Sequence, residues 1–145
     1  MSKKINYPLY DVQPFSSVKE MIDLAVRDAG NKIAYKFKID DDVHEITFSE
    51  FYETLKKLGA FLHEISDDKR HVACIGKNSY DWITAYITTL RGNGVFVPLD
   101  KELPEADIIH VINNSECTIV FCDGKFEEFF RNNLDKLPGV EHFIV

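Results

Sequence analysis

Apolar residues along this chain recur with two different periods, and the switch between them divides it into elements. Val18, Ile22, Ala25, Val26 and Ala29 fall at spacings of three and four, which predicts an amphipathic helix over residues 17–29 that stops at Gly30-Asn31. Ile33, Tyr35, Phe37 and Ile39 then alternate with Ala34, Lys36 and Lys38, the repeat of a strand with one solvated face. Asp40-Asp41-Asp42 turns that strand back, and residues 43–48 complete a hairpin. The acidic run lacks the spacing and the glycine of an EF-hand loop, so it reads as a solvated turn. Thr47 and Glu50 are spaced as a capping box. Behind them Phe48, Phe51, Tyr52, Leu55, Leu58, Phe61, Leu62 and Ile65 form one helical stripe, leaving Glu53, Lys56, Lys57 and Glu64 for solvent; such a stripe reads as core.

Beyond this helix, short apolar runs at residues 72–75, 95–99, 118–122 and 143–145 alternate with helical patterns at 80–90, 104–113 and 126–134. Strands apolar almost throughout are those of a parallel sheet covered on both faces and joined by right-handed crossovers. The expected fold is α/β: a three-layer, doubly wound, mainly parallel sheet preceded by a helix and a β-hairpin. No internal repeat or linker-like composition suggests a second core.

Composition narrows the function classes. The chain has 145 residues, 45% of them hydrophobic, and its 17 basic against 24 acidic side chains give a net charge of −7. Its positive charges form no stripe, which argues against nucleic acid or an anionic membrane as partner. Cys74, Cys117 and Cys122 sit in apolar, strand-like runs and read as reduced core residues. On one continuous strand Cys117 and Cys122 would face opposite sides and could not share a metal. The amino terminus carries no apolar run of signal-peptide length, and no stretch reaches the roughly 20 apolar residues of a membrane span, so the cytoplasm is the expected compartment. The final Phe143-Ile144-Val145, apolar and with no polar tail, suggests an incomplete carboxyl end.

Several motifs invite a functional reading. Gly76-Lys77-Asn78-Ser79 links a strand to a helix, but His71 and Asn78 stand where a phosphate-binding P-loop needs Gly and Ser/Thr. The expectation is a helix start capped by Asn78 or Ser79, with Asp81 at the positive end of the helix dipole. Gly92-Asn93-Gly94 leaves a helix and enters a strand, the reverse of a dinucleotide fingerprint; Gly92 or Gly94 is expected in the left-handed conformation. Pro98 closes a strand, Pro104 suits a first helical turn, and Asp100 lies at the strand edge where open α/β sheets bind ligands, though it reads as a turn or cap. The histidines at 44, 63, 71, 110 and 142 show no metal-binding spacing, and there is no nucleophile elbow. No catalytic, cofactor-binding or metal-binding residue is selected.

Taken in order, ITFSEF (residues 46–51), VACIGKNSYDW (72–82) and LRGNGVFVPLDKELPE (90–105) resemble the start of the adenylate-forming, or AMP-binding, superfamily. Thr47, Phe48, Glu50, Gly94, Val97, Pro98, Leu99 and Asp100 occupy that family's positions, with Phe51 where Leu is usual. The stretches 78–82 and 100–104 look most like long-chain fatty acyl-CoA synthetases. The resemblance implies residues 1–16 as an extension and 17–145 as the N-terminal subdomain of an AMP-binding domain, a truncated part of a larger enzyme. It also implies a parent acid-thiol ligase that uses ATP and Mg²⁺ to convert a carboxylic, fatty acid to an acyl-adenylate, and then CoA to form the thioester. The family's phosphate loop, adenine-binding aromatic segment, ribose-binding Asp and catalytic Lys would follow residue 145, so the chain alone is expected to bind no cofactor and to be inactive. Two rivals remain: a free-standing flavodoxin-like or receiver-like binding domain, and an interaction module that self-associates through apolar surface exposed by truncation.

Overall fold

Two hydroxyl caps set the first two helices. In the computed structural model, which describes residues 12–66, 70–92 and 94–145, the Glu20 amide donates to Ser17 Oγ at the start of α1, Val18–Ala29 (3.2 Å). The chain then forms β1, Ile33–Ile39, and β2, Asp42–Thr47, an antiparallel hairpin with Ile39 opposite Asp42. Asp40 takes the left-handed conformation at its tip (φ 52°), which a short polar side chain tolerates. The capping box forms in full at α2, Phe48–Ile65: Glu50 N donates to Thr47 Oγ1 (3.2 Å) and Thr47 N to Glu50 Oε2 (2.8 Å). Phe51, Leu55 and Leu62 on the predicted stripe are buried, whereas Phe61 lies outside the core at 44% exposure.

The second half is a four-stranded parallel sheet in the order β4-β3-β5-β6. Its strands are β3, His71–Ile75; β4, Val95–Leu99; β5, Ile119–Cys122; and β6, His142–Ile144. Three helices connect them: α3, Tyr80–Arg91; α4, Glu105–Asn114; and α5, Glu127–Arg131. Alternate side chains of the strands point to opposite faces. Ala73, Ile75, Leu99, Val120 and Cys122 pack against Ile108 and Ile112 of α4 and Phe130 of α5. On the other face Val72 and Ile119 meet Leu62, with Leu58 and Ile65 beside it. Helices on both faces of a parallel sheet, preceded by a helix and a hairpin, are the architecture expected from the sequence.

Three local expectations are corrected. Cys117 precedes β5 instead of lying within it, and it shares one core cluster with Cys122, so the two do not face opposite sides. The helix expected over 126–134 shortens to α5 between two 3₁₀ turns. Asn133 is buried there, and its side-chain amide donates to Phe129 O (2.8 Å), a local bond that competes with helix continuation. Pro104 lies one residue before α4, where its carbonyl accepts from Ile108 N (3.1 Å).

Candidate functional site

In this strand order β3 lies between β4 and β5, so the connection that leaves β3 runs to one side of the sheet and the one that leaves β5 runs to the other. Open α/β sheets bind ligands at such a reversal, beside the carboxyl ends of the strands. Here Asp123 fills it. The Asp123 amide donates to Ile75 O (3.0 Å), and its carboxylate accepts from Lys125 N (2.9 Å) and Lys77 N (3.4 Å). The Lys125 amide, then the Lys77 amide and the two ammonium charges, hold its carboxyl below the usual aspartate range. A Cβ at position 76 would lie 2.8 Å from Asp123 Cβ; Gly76 is there so that the two loops can close together.

That closure decides the phosphate question. The Lys77 amide is turned to a carboxylate, and Ser79 is engaged as the α3 cap, its Oγ accepting from Trp82 N (3.1 Å). Residues 76–79 therefore do not fit the phosphates of a nucleotide: Asp123 would set a negative charge against them. Asp100 is a turn residue as expected, its Oδ1 accepting from Glu102 N (2.9 Å) and its carbonyl from Leu103 N (3.2 Å).

The glycines after α3 depart from expectation. Gly92 sits at φ −95°, and no described glycine has positive φ. Gly94 serves close approach: its amide donates to Thr89 O (3.0 Å), and a Cβ there would lie 2.9 Å from Thr89 Cγ2 and 3.1 Å from Arg70 O. His71 and His142 act as loop ties, Nδ1 of the first lying 2.6 Å from Ser115 O and Nε2 of the second 3.1 Å from Ile65 O. Burial raises the thiols of Cys74 to about 12 and of Cys117 and Cys122 to about 11, which makes them inert core residues.

Sequence reasoning missed a cleft of about 520 Å³ next to the reversal. Cys74, Phe121 and Ile144 form its floor, one rung of side chains across β3, β5 and β6. Thr84 and Ala85 of α3 form a wall, and Lys77, Asp81 and Lys125 stand at the rim. Its residues come from six elements and loops, so no single motif announces it; only the rule placing ligands at strand carboxyl ends could have. The floor supplies apolar contact area, and its one ionisable group, the Cys74 thiol, stays protonated.

Comparison with known proteins accounts for the motifs. The chain is similar to the dapdiamide synthesis protein DdaD of Enterobacter agglomerans, 25% identical over 133 residues, which cover 90% of this chain and 22% of that protein. It is similar in structure to the long-chain-fatty-acid-CoA ligase FadD1 of Archaeoglobus fulgidus, with a TM-score of 0.78 and 28% identity over 98% of this chain and 29% of that one. The anthranilate CoA ligase AuaEII in complex with anthranoyl-AMP shares the fold, with a TM-score of 0.80 and 15% identity over 92% of this chain and 26% of that one. The chain thus spans between a fifth and a third of the length of these proteins. The family model described as AMP-binding enzyme matches residues 22–144. With its capping box, its α3 start and its Gly94-to-Asp100 strand all in that family's order, this chain belongs to the AMP-binding, adenylate-forming enzymes.

Proposed function

We propose that the chain is the N-terminal part of an ATP-dependent acyl-CoA synthetase, with residues 1–16 an extension and 17–145 the first subdomain of the AMP-binding domain. The observation that carries this reading is the family match over residues 22–144 together with similarity to a long-chain-fatty-acid-CoA ligase along nearly the whole chain. The parent would join a carboxylic, fatty acid to ATP with Mg²⁺, releasing pyrophosphate, and CoA thiol would then displace AMP from the acyl-adenylate. In that enzyme, residues 12–145 act as scaffold: the Asp123 plug and the capped helices hold the sheet on which the rest of the domain is built. Membership of the family removes the support for a flavodoxin-like or receiver-like domain. Among the described residues no helix is long and apolar enough to cross a membrane, and the cytoplasm is the proposed compartment.

The test is carboxylate-dependent ATP–pyrophosphate exchange, followed by a thioester assay with CoA. The 145-residue chain is expected to show no exchange, and the parent to show it with fatty acids. Robust exchange by the 145-residue chain would sink the claim that catalysis lies outside it. Exchange by the parent with other carboxylates but not fatty acids would reassign the substrate class.

A further inference from the structure

The aspartate that plugs the sheet reversal is followed by glycine, and Asp123-Gly124 is the one Asp-Gly pair in the sequence. Such a pair is open to attack by its own main chain, because the amide nitrogen after the aspartate has no side chain to hinder it. Gly124 N bonds to Asp123 Cγ, and the amide proton leaves with the carboxyl hydroxyl as water, closing a succinimide ring. A second water then adds to the main-chain carbonyl carbon of Asp123 and breaks its bond to Gly124 N, which leaves isoaspartate. Solvent reaches the pair: Gly124 and Lys125 are exposed, and apart from chain neighbours nothing lies within 4 Å of where a Cβ at position 124 would stand.

The closed plug opposes this reaction. Asp123 Oδ1 accepts from Lys125 N (2.9 Å) and Oδ2 from Lys77 N (3.4 Å), while the Asp123 amide donates to Ile75 O (3.0 Å). A carboxylate held through both oxygens cannot turn its face to Gly124 N, or take the proton that makes one oxygen a leaving group, without giving up one of those bonds. Gly76 permits the closure, since a Cβ there would lie 2.8 Å from Asp123 Cβ. We propose that Asp123-Gly124 is a latent site of aspartate isomerisation, silent while the loops at Gly76 and Asp123 stay together and released when they part. The change is one-way for the plug. Isoaspartate routes the main chain through Cβ and Cγ and leaves its carboxylate on Cα, so it no longer meets the Lys77 and Lys125 amides, and a transient opening at the reversal becomes a permanent one.

The test incubates the folded chain, the chain unfolded in guanidinium chloride, and the Gly76→Ala and Gly124→Ala variants side by side at neutral pH. Isoaspartate at 123 is read by peptide mapping with electron-transfer fragmentation; deamidation at Asn93-Gly94 changes the mass and is counted apart. The unfolded chain is expected to isomerise at least about tenfold faster than the folded one, with folded Gly76→Ala between them. Gly124→Ala is expected to keep the fold and to slow the reaction in both states. Guanidinium below the unfolding transition gives the same test without a substitution: isomerisation should rise in step with hydrogen exchange of the Asp123 amide, ahead of exchange in β3. Isomerisation as fast in the folded chain as in the unfolded one overturns the protection. A rate that rises only when β3 exchanges overturns local release, and absence of isoaspartate from the unfolded chain overturns the site.

Discussion

Glu116 carries a backbone conformation that its residue type gives no hint of. It lies at φ 52° just after α4, where Glu116 N donates to Asn113 O (3.1 Å) and Cys117 N to Ile112 O (3.1 Å). Those two bonds form a Schellman motif, with Cys117 and Ile112 in apolar contact beneath it. Glycine is the usual residue at that position, and a non-glycine residue held there is strained by about 1 kcal/mol. Glu116→Gly is therefore expected to stabilise the protein by roughly 0.5–1 kcal/mol, seen as a higher urea midpoint with an unchanged slope. An unchanged or lower midpoint would show that other contacts of Glu116 offset the relief. From sequence, the helical pattern ends at Asn113, but nothing marks Glu116 as the left-handed residue because the glycine is missing; apolar residues on either side of the turn close into one core and hold it there.

At the scale of elements, α1 shows how far a helix can be legible and its attachment not. Its periodicity is plain, yet none of its residues is fully buried. Its half-buried face packs against α2 and α3, and Arg91 at the end of α3 reaches Asp23 Oδ1 (3.2 Å) and Tyr52 Oη (3.1 Å) and stacks 4.8 Å from the Tyr52 ring centre. One guanidinium thus ties α1, α2 and α3 together. Lysine would keep the charge but lose the planar stacking on the Tyr52 ring. Arg91→Lys is expected to cost about 1 kcal/mol and to speed amide exchange in α1 more than in β3. Uniform loss of protection would mean that α1 opens only with the whole fold. By contrast α2 was legible to its cap, because both partners of the capping box lie within one turn of each other.

For the whole molecule, Asp123 couples the two halves of the parallel sheet at its reversal. Its folded pKa lies below the ordinary aspartate value of about 3.9. The stability it contributes is therefore fully present above the unfolded pKa and lost as pH falls through the folded one. Asp123→Asn is expected to lower stability at pH 7 and to reduce the further loss as pH falls below about 4. Urea midpoints at pH 7 and pH 3 measure both, and parallel acid limbs in the two proteins would mean that Asp123 does not link pH to folding.

By itself the sequence determined the α/β class, the caps of α2 and α3, the turn at Asp100, the burial of the three cysteines and the family of the chain. The caps, the turn and the buried cysteines rest on residues within a few positions of one another, where periodicity and hydrogen-bonding chemistry act locally; the class and the family rest on the order of such local patterns along the chain. Tertiary structure alone decided the Asp123 plug, the close approach that requires Gly94, the common core of Cys117 and Cys122, and the Cys74, Phe121 and Ile144 floor. Those depend on which strands become neighbours, and parallel strands become neighbours only through long crossovers. Residues 74, 121 and 144 share a rung because the sheet places β5 between β3 and β6, an order set by packing helices on both faces and not by any motif along the chain.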